Sequence, residues 1–144
     1  MTDRGSTTVE LALTLPLLVG LLLGILDLGR AANAYLVVDS ASREGARYAI
    51  LHPTAAQEDI ASSVKSRVTP LDPDAVSVTV SFHDGTTFAP WPAGGIPLSP
   101  GGVRGIPIEV TVRYPWAAAS ALVASLLGPS THSFASTSRM EVRR

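Results

Sequence analysis

An uncharged apolar run near the N-terminus constrains this chain more than any other feature of its sequence. Residues 11–26 contain no charge, and ten leucines, one valine and one isoleucine lie within residues 11–28. Together these twelve side chains favour membrane insertion by about 4–7 kcal/mol. Because a helix needs ~20 residues to cross a bilayer, the run predicts a transmembrane segment over residues 6–30. Arg4 on the short leading side favours a cytoplasmic N-terminus, which places the rest of the chain outside.

Glu10 directly precedes this run, where a carboxylate is costly unless it has a partner. Three interpretations compete. A plain signal anchor gives Glu10 no role. A secretory signal peptide would be cleaved after residues 32–34, which have the small-x-small pattern, but Asp27 and Arg30 precede that site and the apolar run is longer than the usual ~7–15 residues. In the third interpretation the chain is cleaved after Gly5, and a new α-amine pairs with Glu10.

The residues that support the third interpretation resemble a known processing signal. Gly5-Ser6 followed by Thr-Thr-Val-Glu10 resembles the prepilin signal, a glycine before the cleaved bond and a glutamate at mature position five. With VELALTLPLL at 9–18, LGR at 28–30 and ASREGAR at 41–47, the sequence resembles the TadE-like pseudopilins of the tight-adherence (Tad) pilus, and SRME at 138–141 resembles that family's ending. Leu11 departs from the pattern, since many relatives carry an aromatic residue there.

The resemblance implies a minor pilin or pseudopilin that is processed by a prepilin peptidase and takes part in Tad-type pilus assembly and adhesion. The implied partners are the peptidase, other pilins or pseudopilins, the inner-membrane Tad assembly platform and membrane lipid. The implied location is the cytoplasmic (inner) membrane, with the head outside, and the extracellular pilus after assembly. The site residues it implies are Gly5 and Ser6 for processing, Glu10 for pairing with an N-terminal amine, Pro16 for a helix kink, and the helix motif Arg43, Glu44, Gly45 and Arg47.

Helical periodicity continues beyond the apolar run. Ala34, Val38, Ala41, Gly45 and Tyr48 recur at spacings of four, three, four and three, and no proline intervenes before Pro53. The sequence therefore predicts that residues 31–52 extend the N-terminal helix. Its small residues permit close helix approach, and its charged side is expected to be a solvated face with ion pairs.

The predicted fold is α+β and pilin-like. Residues 1–5 form the leader, and the long N-terminal helix, transmembrane in its first half, carries an extracytoplasmic head over residues 53–144. In the head we predict two short helices, three antiparallel strands and a Gly/Pro-rich loop at 83–105. The helices are predicted at 54–68, with a capping box from Thr54 and Gln57, and at 117–127; the strands are predicted at 76–82, 106–114 and 132–142.

The loop at 83–105 leaves an alternative function open. Its Phe88 and Trp91 are either exposed aromatics that recognise a partner or apolar anchors of a lid that folds back on the sheet. We favour the lid, because fixing a long loop requires a few apolar anchors. If the aromatics are exposed, the chain is a signal-anchored extracytoplasmic binding protein that is not assembled into a pilus.

The sequence predicts no enzyme, no cofactor and no metal site. It has no cysteine, and its three histidines stand in unrelated contexts. His83-Asp84 lacks a third metal ligand, the glycine pairs lack the helix and lysine of a phosphate loop, and no serine lies in a nucleophile elbow. The net charge of −1 gives no indication of nucleic-acid binding.

Overall fold

The computed structural model of the chain describes residues 3–96, 105–120, 123–125, 128 and 131–142. These residues form a long helix, α1 (Asp3–Leu51), a short helix, α2 (Gln57–Lys65), and four strands. The strands are β1 (Ser77–His83), β2 (Phe88–Pro90), β3 (Pro107–Trp116) and β4 (His132–Glu141). The chain divides into two compact units, Met1–Asn33 with Ala117–His132, and Ala34–Trp116 with Ser133–Arg144.

The second unit contains the sheet, with strand order β2-β1-β3-β4. β1 pairs antiparallel with both neighbours: Ser81 is opposite Glu109 on β3, and Phe82 is opposite Ala89 on β2. The α+β class is confirmed, but the prediction of three strands is wrong. The fourth strand, β2, lies inside the segment predicted as a loop, and its three residues are too few to show an alternating pattern.

One face of the sheet packs on the two helices and forms the core. Alternate side chains of β1 and β3 point inward, as the alternating sequence predicts. The C-terminal part of α1, residues 34–51, contributes the predicted stripe, in which Ala34, Val38 and Ala41 are buried. The fully buried side chains of the core, by volume, include Ile60, Ile108, Val38, Val64, Val68, Val80, Val110, Val112 and Val142.

Helix α2 begins three residues later than predicted. Asp59 accepts a hydrogen bond from the backbone N–H of Ala56 at 3.3 Å, so the capping pair is Ala56 and Asp59 instead of Thr54 and Gln57. The carbonyl of Pro53 accepts a bond of 2.7 Å from the N–H of Ile96, which fixes the preceding segment to the loop. The predicted second short helix lies partly outside the described residues, of which 123–125 are helical.

Candidate processing and assembly segment

The predicted processing residues lie at the start of α1. The helix already includes Asp3, so the Gly5–Ser6 peptide bond is part of helical backbone. From Ser6 to Val19 every side chain is exposed. The rest of the chain therefore does not cover the residues that follow the Gly5–Ser6 bond.

Glu10 is exposed at the start of the apolar run. None of the ion pairs within the described residues includes it. Its backbone carbonyl accepts a 2.9 Å bond from the hydroxyl of Thr14, which satisfies that hydroxyl inside the helix. The carboxylate is exposed, and a cationic group of another molecule can therefore reach it.

The apolar part of α1 exposes large hydrocarbon side chains on all sides. Leu13 is 74% exposed and Leu17 is 77% exposed, which is a surface that water does not stabilise. In the described part of the chain, α1 is the one helix long and apolar enough to cross a membrane. A membrane anchor is therefore consistent with both its length and its exposure. The helix continues on both sides of Pro16, which removes one backbone donor; the kink there stays a prediction.

Asp27 interrupts this exposed surface, because its side chain is buried. Its Oδ1 accepts a 3.0 Å bond from the N–H of Ala119, and its Oδ2 accepts bonds from the N–H and hydroxyl of Ser120 at 2.9 and 2.6 Å. Arg30 Nη1 lies 3.4 Å from Oδ1. The sequence analysis used Asp27 only as an argument against a signal peptide and did not predict its burial. The available indication was its position directly after sixteen uncharged residues, where a carboxylate requires hydrogen-bond donors.

The motif at residues 43–47 lies in the C-terminal part of α1, where the helix packs against the sheet. Arg43 forms an ion pair with Asp39, and Asp39 also accepts a 2.8 Å bond from the hydroxyl of Ser136 on β4. The Ser136 hydroxyl, followed by Arg43, holds the pKa of Asp39 below its usual value. Glu44 lies 3.6 Å from Arg67, just beyond α2. These ion pairs are solvated, as the sequence predicts, and contribute little to stability.

Gly45 occupies the place where α1 approaches its neighbours most closely. A Cβ atom there would lie 2.5 Å from Cγ2 of Val64 and 3.1 Å from Cγ1 of Val110. The glycine therefore allows α1 to contact α2 and β3 at once. Arg47, the last motif residue, is exposed and takes part in none of the ion pairs within the described residues.

Comparison with known families identifies this segment. Residues 5–47 match the family model of TadE-like protein. The match begins at Gly5, ends at Arg47 and includes all eight predicted site residues, and it confirms the resemblance read from the sequence. The match covers 43 of the 144 residues, so the similarity to TadE-like protein is established for this segment. No curated protein and no solved structure matches the chain.

The TadE-like segment does not form one enclosed site. Gly5, Ser6 and Glu10 belong to the first unit, and the motif at 43–47 belongs to the second. The first group places an exposed carboxylate one helical turn after the Gly5–Ser6 bond. The second group fixes the C-terminal part of α1 against the sheet. In the TadE-like segment, the predicted processing and pairing residues therefore lie at one end of the helix, and the residues that pack on the sheet lie at the other.

The pair His83-Asp84 has a structural use in the β1–β2 turn. Asp84 Oδ1 accepts bonds from the N–H groups of Thr86 and Thr87 and from the Thr86 hydroxyl, each at 2.8 Å. The Thr87 N–H, followed by Thr86, lowers the pKa of Asp84 to about 2. His83 Nδ1 accepts the N–H of Gly85 at 3.1 Å. Among the described residues no group of three or more His, Cys, Asp or Glu is placed to hold a metal ion.

Proposed function

We propose that this chain is a minor pilin or pseudopilin of the Tad type, cleaved after Gly5 by a prepilin peptidase and assembled through Glu10. The observation that carries the proposal is the position and exposure of Glu10. It is exposed, it precedes an exposed apolar helix, and it takes part in none of the ion pairs among the side chains that the structure describes from Ser6 onward. The family match that begins at Gly5 supports the processing step.

The proposed mechanism follows from the energetics of a carboxylate at a membrane boundary. Cleavage creates an ammonium on Ser6, one helical turn before Glu10. When the apolar helices of several subunits pack together, an unpaired Glu10 would be left in a poorly solvating environment at a penalty of several kcal/mol. Pairing with the α-amine of a neighbouring subunit removes that penalty in one axial register. Glu10 thereby selects the correct position of each added subunit.

The proposed location is the cytoplasmic membrane, with the N-terminus inside and the head outside. Arg4 on the short leading side supports this orientation. The partners would be the prepilin peptidase, other pilins or pseudopilins and the Tad assembly platform, and the assembled pilus would act in adhesion. The alternative binding protein requires exposed loop aromatics. Trp91 is only 5% exposed, which favours the pilin.

Intact mass and N-terminal sequencing of the protein from membranes of its native host test the processing step. We expect a chain that begins at Ser6, a Gly5→Ala variant that keeps Met1, and a Ser6→Ala variant that is cleaved normally as the matched control. Normal maturation of Gly5→Ala would refute the proposal. A wild-type chain that keeps Met1 would indicate a signal anchor, and one that begins at Tyr35 would indicate a secreted domain.

Glu10→Gln tests the assembly step separately, because it removes the charge and preserves the shape. We expect normal cleavage and a loss of the protein from sheared pilus fractions. Glu58→Gln, which changes an exposed carboxylate on α2, should assemble normally. Recovery of Glu10→Gln in pili at the wild-type level would exclude the charge-pairing role.

A further inference from the structure

The buried carboxylate of Asp27 links the apolar helix to a distant part of the chain. Its side chain is only 3% exposed, although its neighbours along the helix are exposed. The groups that bury it come from Ala119 and Ser120, which supply three hydrogen bonds. The described residues Ala117–Ser120 and Val123–Ser125, called here the interfacial segment, belong to the same compact unit as Asp27.

The position of Asp27 along α1 sets the depth of these contacts in a bilayer. Asp27 follows Glu10 by seventeen residues, which is about 25 Å along a helix. The hydrocarbon core of a bilayer is about 30 Å thick. With Glu10 at the inner boundary, Asp27 lies at or just inside the outer one. Because Ala119 and Ser120 bond directly to its carboxylate, they lie at the same depth.

The composition of the segment agrees with that depth. Residues 117–131, which connect β3 and β4, contain no Asp, Glu, Lys or Arg. At the 16% charged content of the whole chain, a stretch of this length would carry about two charges. Val123 and Ala124 are only half-buried, so part of their apolar surface is available for contact with lipid. A charged side chain is costly at the edge of the hydrocarbon core and not in water, so the absence of charge is consistent with a position at that edge.

We propose that the interfacial segment lies in the outer interfacial layer of the membrane, with lipid as its partner, and that Asp27 fixes it there. The proposal goes beyond the proposed function, which places only α1 in the membrane. At that depth backbone N–H groups require partners, and Asp27 supplies them at residues 119 and 120. The Ser120 hydroxyl in turn accepts the N–H of Val123 at 3.3 Å, so the helical turn at 123–125 starts from the same anchor.

Site-directed spin labelling of the full chain tests the proposal, since the chain contains no cysteine to replace. Three variants, Ser125→Cys, Leu17→Cys and Thr79→Cys, are each labelled with a nitroxide. Each labelled protein is reconstituted in vesicles of phosphatidylcholine and phosphatidylglycerol. All three positions are exposed. Collision rates are measured with oxygen, which concentrates in lipid, and with a water-soluble nickel chelate. Leu17 serves as the lipid reference and Thr79, on the sheet, as the water reference.

We expect the oxygen-to-nickel collision ratio at Ser125 to be several-fold above that at Thr79 and below that at Leu17. A ratio at Ser125 equal to that at Thr79 would overturn the proposal, because the segment would be in water. Exclusion of both reagents from Ser125 would overturn it as well, because protein would then cover the segment.

Substitution of Asp27 tests whether its hydrogen bonds, and not only the apolar character of the interfacial segment, hold that segment at the membrane. Asp27→Ala should lower the ratio at Ser125 toward the Thr79 value, and Ser120→Ala, which removes one donor, should lower it less. The matched control is Asp39→Ala, which removes another α1 carboxylate that accepts a serine hydroxyl and should leave the ratio unchanged. An unchanged ratio in Asp27→Ala would exclude the anchoring role.

The same data distinguish failure of this inference from failure of the proposed function. If the label at Leu17 is exposed to water, α1 is not a membrane anchor and the proposed function fails. If Leu17 contacts lipid and Ser125 does not, only the interfacial segment is refuted.

Discussion

Gly45 shows how one missing side chain sets the packing of the head. A methyl group there would come within 2.5 Å of Val64 and 3.1 Å of Val110, which are both fully buried and β-branched. Overpacking of this kind costs about 1–3 kcal/mol, and the better helix propensity of alanine returns about 1 kcal/mol. Because these two effects oppose each other, we predict that Gly45→Ala lowers the free energy of unfolding by up to about 2 kcal/mol. Urea unfolding of the full chain in detergent measures the change.

Two variants act as controls for this prediction. Gly29→Ala lies on the same helix with nothing within 4 Å of the new methyl group, so it should not destabilise. In a Gly45→Ala, Val64→Ala double variant the clash is relieved, and its loss should be smaller than the sum of the single losses. Additive losses, or a stabilised Gly45→Ala protein, would contradict the close approach.

Contacts between residues one helical turn apart could be predicted from the sequence, whereas hydrogen bonds between residues far apart in the chain could not. The spacing of Ala34, Val38 and Ala41 predicts their burial, and the four-residue step from Asp39 to Arg43 predicts their ion pair. The bond from Asp39 to Ser136 spans 97 positions, and no local pattern indicates it. Asp27 is a further example, because its donors lie more than 90 residues away.

At the scale of elements, the segment Phe88–Ile96 folds back as a lid. Trp91 donates from Nε1 to the carbonyl of Ala55 at 2.9 Å, and Ile96 donates its N–H to Pro53 at 2.7 Å. Both side chains are buried. The lid interpretation is thus correct for residues 88–96, while residues 97–104 lie outside the described part of the chain.

Neighbouring glycines in the lid give a matched pair of substitutions. Gly95 has φ +79°, and a Cβ there would lie 2.4 Å from the backbone Cα of Thr54, whereas nothing lies within 4 Å of a Cβ at Gly94. The left-handed conformation alone costs a non-glycine residue about 1–2 kcal/mol. We predict that Gly95→Ala releases the lid and that Gly94→Ala leaves it in place.

Hydrogen exchange of the Ile96 amide and Trp91 fluorescence measure this release, the fluorescence in a Trp116→Phe background because the chain has two tryptophans. Gly95→Ala should speed exchange at Ile96 and shift the Trp91 emission to longer wavelength. Equal protection of Ile96 in both variants would show that the contact with Thr54 does not hold the lid.

The long elements of the fold could be predicted, and the short ones could not. β1, β3 and β4 each carry seven or more residues and an alternating pattern. β2 forms because Asp84 closes a turn that brings Phe88 opposite His83. The turn depends on hydrogen bonds to the Asp84 side chain, which hydrophobic periodicity does not reveal. The start of α2 also differs from the prediction, because Asp59 accepts the N–H of Ala56 and thereby makes Ala56 the N-cap instead of Thr54.

At the scale of the whole molecule, the connection between β3 and β4 is longer than the hairpin requires. The hydroxyls of Thr111 and Thr137 lie 2.9 Å apart, and Arg139 forms an ion pair with Glu109. In an antiparallel ladder these pairs place Tyr114 opposite Phe134. Strands so close need only a two-residue turn, so residues 117–131 form an insertion. Every residue of the described hydrophobic core cluster lies in the second unit, outside that insertion.

We therefore predict that the second unit folds without the first once the insertion is removed. A chain of residues 34–144 in which Asn-Gly replaces residues 117–131 should be a soluble monomer that retains the core and the β1–β3 pairing. A matched chain of residues 34–144 with the native insertion lacks Asp27, which leaves the N–H groups of Ala119 and Ser120 without their acceptor beside an uncharged stretch. This second chain should aggregate or bind vesicles.

Size-exclusion chromatography and amide NMR spectra compare the two chains. Well-dispersed strand resonances in the Asn-Gly chain and aggregation of the native-insertion chain would show that the sheet is self-sufficient and that the insertion depends on the anchored helix. An unfolded Asn-Gly chain would show that residues 117–131 support the sheet. A soluble, monomeric native-insertion chain would show that the insertion needs neither Asp27 nor lipid, because an apolar segment without a partner is stable in water only if its own unit covers it.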